Sequence, residues 1–429
     1  MNRILMAALL ALGCAHGPSA PEERPAADRG TAYLEGPPME PLLVARIHAV
    51  ALSDDDGGRA TDIDEAKVAR WVAYANDIFR PAGIRFEFSR SDFTRTRSTA
   101  LNSLNLGPDW ERMEKMGNQV SALLPDRLVV FFRHGAGDDA TGEGFAGSEY
   151  DFAVMPGDAS ARCGHDYVAH LAHVLGHHLG LPHTYRFSFR DERHAAAYLE
   201  QKGHDPKIFD GDGLDDTPPD PGLDSLICMD VAEKDLDGVH LVLPRRNLMS
   251  AYEEADSLTP AQAERARWFL AHRLAHGMKT SRNGGPGLIE AEQLPFAGRE
   301  NCGPWVQEMK PFGVGRYSGD AQVFCPSRTP RPGAFALTLT VPKAGRYRLD
   351  AYLTQAPDYG IVEVTVDGRQ LGGAYDAWAP WVMPSGAIPI GERVLSAGKH
   401  ELVFRARRKN PQATAYNMGV DALGLVPLP

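Results

Sequence analysis

From about Leu288 onward, apolar residues fall into runs in which they recur at every second position, a period that a pleated sheet can use. Phe335, Leu337, Leu339 and Val341 share one face of such a run, as do Tyr347, Leu349, Ala351 and Leu353. Val362, Val364 and Val366 repeat the pattern, then Leu402, Phe404 and Ala406, with turns at Lys343-Ala344-Gly345, Asp367-Gly368 and Ala397-Gly398 between the runs. The spacing predicts an all-β sandwich over 288–429. Ahead of it the texture changes. Leu42 to Ala51, Ile84 to Phe88, Arg127 to Arg133 and Asp151 to Met155 read as buried strands. Helices are expected at Asp62 to Phe79 (capped by Asp62 and Glu65), His165 to Leu179 and Pro260 to Ala275. Strands alternating with helices predict an α/β layer structure over 41–278, joined to the sandwich by a polar, glycine-rich linker at 279–287.

The first residues read as an export signal. Arg3 precedes the apolar stretch Ile4 to Leu12, which is too short to span a bilayer, and Ala11-Leu12-Gly13-Cys14 follows. This ending resembles the lipobox of bacterial lipoproteins, which implies cleavage after residue 14's predecessor and acylation of Cys14. Ala15 in place of Asp leans towards the outer membrane or cell surface; a secreted protein with a chance cysteine is the alternative. Residues 15–40, rich in Pro, Ala and charge, read as a tether, so the membrane is met only through a lipid. Cys163, Cys228, Cys302 and Cys325 then remain, an even number in an exported chain, and of three connectivities sequence proximity favours Cys163 with Cys228 and Cys302 with Cys325. A net charge of -11 without a basic block excludes a nucleic-acid partner, which needs clustered cations to displace counterions.

Six histidines fall between His165 and His183. His173 and His177 are four apart, so a helix turns both imidazoles to one side, where they can grip one cation. Gly180 can take a positive φ, end the helix and let His183 arrive as a third ligand. Three protein ligands leave a fourth tetrahedral position open, as in catalytic zinc sites. His170, His173 and His177 form a competing set on the same helical face, and ordinary surface or core histidines are the bland reading.

The register His173-x-x-x-His177-x-x-Gly180-x-x-His183 resembles the long zinc motif of metzincin proteases, and its surroundings resemble the pappalysin family in particular. Asp210 to Pro219 is similar to a family segment ending in Asp-Thr-Pro, Asn247-Leu248-Met249-Ser250 to the Met-turn beneath the zinc, and Leu258 to Gln262 to the start of the last helix. The resemblance implies a metzincin-like zinc domain and a zinc metallopeptidase acting on peptides or extracellular proteins. Two positions depart from it. Val174 stands where the family has its general acid/base Glu, whose loss typically costs about 10²- to 10⁴-fold. The tyrosine expected two residues after Met249 is replaced by Ala251, leaving Tyr252 one place late as an oxyanion stabiliser. Glu143, Glu149, Asp151 and Asp166 are nearby carboxylates that read better as solvated or capping groups. The resemblance also raises calcium at Asp212, Asp215, Asp216 and Thr217, although Asp215 breaks the EF-hand pattern.

Ile289 to Glu292, Lys343 to Tyr347, Ala397 to Leu402 and Val420 to Leu423 resemble the jelly-roll modules appended to carbohydrate-active enzymes. Trp305, Trp378 and Trp381 could stack on sugar rings or pack internally. Two functional readings follow: a metallopeptidase with weak or altered activity, and a non-catalytic pseudoprotease that binds peptides or surface glycans.

Overall fold

The computed structural model describes residues 31–103, 110–134, 150–156, 161–163, 165–166, 168–312, 315–327 and 331–429. Cys14, the export signal and most of the tether lie outside them. No helix among the described residues is long and apolar enough to cross a membrane.

The N-terminal unit is built on parallel strands β1 (Leu43–Ser53), β2 (Ile84–Glu87), β3 (Phe93–Arg97), β4 (Leu128–Arg133) and β5 (Phe152–Pro156), in the order β2-β1-β4-β5 with β3 continuing beside β1. A parallel sheet is covered on both faces, so its strands read as unbroken apolar runs, and every residue of β4 and β5 is buried. On one face, Ile47, Val130 and Phe132 pack against Trp71 and Ala75 of α1 (Glu65–Phe79) and Leu171 and Leu175 of α4 (His170–His178). On the other, Val50, Val129, Phe131 and Phe152 pack with Leu101 of α2 (Thr99–Ser103), against which α3 (Trp110–Ala122) lies.

Two helix starts differ from expectation. Asp64, not Asp62, caps α1, its extended backbone bringing a carboxylate oxygen 2.7 Å from Lys67 N. Ile63 and Val68, buried together on either side of the cap, set that entry angle as a hydrophobic staple. Helix α4 begins at His170 because the residues before it are tied up as a hairpin, β6 (Ala161–Arg162) against β7 (His165–Asp166).

Beyond α4 come α5 (Glu192–Gln201), a ribbon of β8 (Glu233–Leu236) and β9 (Val239–Val242), and α6 (Pro260–Ala275). Thr259 and Gln262 form a reciprocal capping box at the start of α6.

The C-terminal unit is a sandwich of two antiparallel sheets. One runs β12 (Trp305–Glu308), β13 (Ala321–Cys325), β20 (Met418–Leu428), β15 (Gly345–Gln355), β18 (Met383–Leu395), with β10 (Ile289–Glu290) beside β20. The other runs β11 (Phe296–Glu300), β14 (Gly333–Val341), β19 (Gly398–Lys409), β16 (Gly360–Val366), β17 (Arg369–Asp376). The alternating residues singled out in the sequence all lie in the single core between the sheets. Part of the polar stretch read as a linker is buried, at Thr280, Ser281 and Asn283, while residues 284–287 are exposed. Asn283 donates to Leu353 O at 2.9 Å and accepts from Gly386 N at 2.9 Å. Phe269 of α6 packs with Ala379 and Met383, and Trp268 meets Trp378 edge to face at 6.3 Å.

Replacing the α1 cap, Asp64→Ala, is expected to cost about 1 kcal/mol in urea unfolding, and Asp62→Ala less than about 0.5 kcal/mol, as for an ordinary surface change. Equal losses would contradict the cap assignment.

Candidate metal centre

Helix α4 brings His173 and His177 to one side, one turn apart. Its end is a Schellman turn: Leu181 N donates to Gly176 O at 3.0 Å and Gly180 N to His177 O at 2.9 Å, with Gly180 at φ +78°. Phe269 packs so closely under Gly180 that a Cβ there would lie 2.2 Å from its ring. This turn swings His183 back. The three Nε2 atoms stand 3.1 Å (His173 to His177), 3.2 Å (His173 to His183) and 3.0 Å (His177 to His183) apart. Among the described residues this is the one group of three or more His, Cys, Asp or Glu whose donor atoms converge.

The ring nitrogens behind the cluster decide what it can hold. His173 Nδ1 lies 2.7 Å from Leu248 O and His177 Nδ1 lies 2.8 Å from Leu181 O. A carbonyl only accepts, so each Nδ1 carries the proton and each Nε2 presents a bare lone pair to the common centre. Burial holds His173 well below the ordinary imidazole range, reinforced by the neighbouring His177 and His183, and lowers His177 to about 4. Both rings are therefore neutral, ligand-competent bases at neutral pH. A tetrahedral zinc with Zn–N bonds of about 2.0–2.1 Å would space its nitrogens about 3.4 Å apart, so the donor set fits with a small outward shift. The His183 ring is held by stacking on Tyr185, centroids 4.5 Å apart and nearly parallel. His170 and His178 are not part of the cluster, so the competing set His170, His173, His177 is not assembled.

A second layer supports the histidines. Gly176 leaves room for Met249, whose Sδ would lie 2.5 Å from a Cβ at that position. Met249 is seated by Asn247, whose side-chain oxygen accepts from Met249 N at 2.9 Å. Asn247 and Gln262 exchange two amide bonds of 3.0 Å, and Gln262 also donates to Asp212 Oδ2 at 3.3 Å. The cap of α6 thus fixes the turn that carries Leu248, the carbonyl behind His173.

Several expected residues take other places. Val174 is fully buried in the main core and contributes no polar atom to the cluster. Tyr252 is fully buried too, its hydroxyl donating to Asp220 at 3.1 Å, which occupies it structurally rather than at the metal centre. Asp151 accepts from Thr280 N and Oγ1. Glu143, Glu149 and the side chain of Asp166 lie outside the described residues. Of the residues considered for calcium, Asp216 accepts from Thr259 Oγ1 and Ala261 N at the start of α6, Asp212 accepts from Leu214 N and Gln262, and Asp215 is exposed. Disulfides join Cys163 to Cys228 and Cys302 to Cys325. Trp378 packs against Trp268 of α6, while Trp305 and Trp381 are about half exposed.

Sequence reasoning missed Gly176, Asn247 and Gln262 as supports, and an acidic group in the sandwich. Asp421 is fully buried beside Glu290 and Glu292, accepting from Ser318 N at 3.1 Å while Ser318 Oγ donates to Glu290 at 2.7 Å. Two acids alternating with apolar residues at Ile289 to Glu292 were the available signal. Burial, then repulsion from Glu290 and Glu292, pushes Asp421 up to about 8. Such a group is relieved by a proton or by a hard cation such as calcium.

No family model matches the sequence, and neither does any curated protein. Among solved structures the chain is similar to a Paenibacillus xanthan lyase (20% identity, TM-score 0.30, covering 35% of this chain and 14% of that one). It is similar also to a Podospora anserina GH26-CBM35 β-(1,4)-mannanase (18% identity, TM-score 0.23, 34% and 28%) and to a family 35 carbohydrate binding module from Clostridium thermocellum (18% identity, TM-score 0.22, 33% and 99%). The chain spans less than a third of the length of the two enzymes. These are carbohydrate-active enzymes and carbohydrate-binding modules, not metzincin proteases. They correct the pappalysin expectation and, with it, the metallopeptidase activity and the peptide or protein partner. The physical reason is that the histidine register specifies a helix, a Schellman turn and three converging imidazoles. It encodes how a cation is held and nothing about substrate.

Adding a methyl at the packing contact, Gly176→Ala, is expected to displace Met249 and lower metal occupancy at least several-fold by elemental analysis, while Gly284→Ala, in open space, leaves occupancy unchanged. In the sandwich, the folded state holds the Asp421 proton more tightly than the unfolded state, so this stabilisation is full below about pH 4 and lost as pH rises through about 8. In chelator, wild type should therefore lose melting temperature relative to Asp421→Asn on going from acidic to alkaline pH, and a pH-independent difference would contradict the assignment.

Proposed function

We propose that the chain is a zinc-binding, glycan-associated protein: His173, His177 and His183 hold one zinc ion in the α/β unit, and the sandwich attaches the protein to a polysaccharide. The observation that carries the metal reading is the convergence of three Nε2 atoms within 3.0–3.2 Å, two of them committed as lone-pair donors by backbone carbonyls behind them. Zinc, when bound, supplies Lewis acidity at an open fourth position. The residues of the chain do the rest: the Leu248 and Leu181 carbonyls orient the rings, and Val174 with its buried neighbours keeps the helix face behind them dry. The glycan reading is supported by Trp305 and Trp381, about half exposed on the sandwich, where a sugar ring can stack. An anchor at Cys14 would hold both units at a cell surface.

Purified full chain is expected to carry one equivalent of zinc by elemental analysis, and His183→Ala to lose it. Substoichiometric metal after reconstitution, or unchanged zinc in His183→Ala, would overturn the metal reading.

A further inference from the structure

A groove of about 710 Å³ runs along the junction of the two units, within the range of roughly 300–1,000 Å³ typical of small-molecule sites. Its walls come from both: Glu114, Tyr150 and Arg265 from the α/β unit, and Lys310, Phe312, Arg316 and Trp381 among those from the sandwich. Trp381 is 45% exposed, and the Arg265 guanidinium lies over its ring at 5.8 Å. That guanidinium is anchored by a 3.0 Å bond to Asp212 O, so it is held in place over the indole. Phe312 and neighbouring prolines complete an apolar surface. Among the described residues that line this groove, the partly exposed Arg265 and the exposed Lys310 are the accessible cations, Arg316 is buried at 3% exposure, and Glu114 is the one carboxylate. Lys310 has its Nζ 3.8 Å from the exposed Glu308, a distance and exposure at which the pairing is weak.

We infer that this inter-unit groove binds an anionic saccharide, a sugar carrying a carboxylate, with its ring on Trp381 and its acid group towards Arg265 and Lys310. An indole face recognises the axial C–H groups of a pyranose, and the surrounding cations recognise the carboxylate. A neutral sugar uses the first contact alone. An acidic peptide uses the second and lacks the stacking ring. The inference rests on the glycan reading above and adds the ligand class and the place. Because Arg265 lies on the same helix whose Gln262 braces the turn behind His173, the ligand would sit on an element that also supports the metal centre.

The test is calorimetric titration of the full chain with a glucuronate-containing hyaluronan tetrasaccharide, beside the same oligosaccharide with its carboxylates reduced to alcohols. The acidic form should bind at least fivefold more tightly than the neutral form, and the difference should shrink as salt is raised. Trp381→Ala and Lys310→Glu, both at exposed positions, should each weaken it at least tenfold with unchanged melting temperature, and Trp305→Ala should leave it intact. Equal affinity for the reduced form, or a polyglutamate peptide binding as tightly, overturns the ligand class. Sugar binding that survives both groove variants but is lost in Trp305→Ala overturns this inference and leaves the glycan reading standing. No binding of either oligosaccharide overturns the glycan reading and this inference together.

Discussion

Three imidazole nitrogens held 3.0–3.2 Å apart, with at least two of them unable to carry a proton, repel one another unless something positive lies between them. Much of the α/β unit serves to hold that arrangement. The parallel sheet and α1 clamp the apolar side of α4, so the helix cannot rotate its histidines apart. The Schellman turn at Gly180 fixes where the chain reverses, and Phe269 of α6 closes over it. Asn247 and Gln262 lock the loop whose Leu248 carbonyl sets the tautomer of His173. Neutral, preoriented bases facing one point are costly to assemble and useful chiefly for a cation.

Much of this was legible in the sequence because it is written in short periods. The two-residue alternation at Phe335 to Val341 and Tyr347 to Leu353 states which face of each strand is buried. The spacing of His173, His177, Gly180 and His183 likewise follows from helix geometry and one residue able to take positive φ. What could not be read are pairings between distant side chains, which leave no period. Gln262 meets Asp212 across fifty positions, Tyr252 turns to Asp220, and Asp421 joins Glu290 and Glu292 from the far end of the sandwich. Thr280, Ser281 and Asn283 were read with the exposed residues 284–287 as one linker because buried polar residues and solvated ones have the same composition; Asn283 is buried because its amide bridges two backbone groups of the sandwich.

The correction of the family expectation has the same root. A ligand register is local, whereas substrate is chosen by surfaces assembled from the whole chain. Val174 already marked the difference, since an apolar residue there preserves the metal cluster while removing the carboxylate that peptide hydrolysis would need. The sandwich, its exposed tryptophans and the cationic groove at the junction direct attention to sugars instead.

The central claim is that one zinc ion is held by three histidines through Nε2. X-ray absorption at the zinc edge of the full chain tests it most directly. The account predicts a first shell dominated by three imidazole nitrogens at about 2.0–2.1 Å with one further light ligand. A shell containing sulfur, or six oxygens without imidazole scattering, would contradict it.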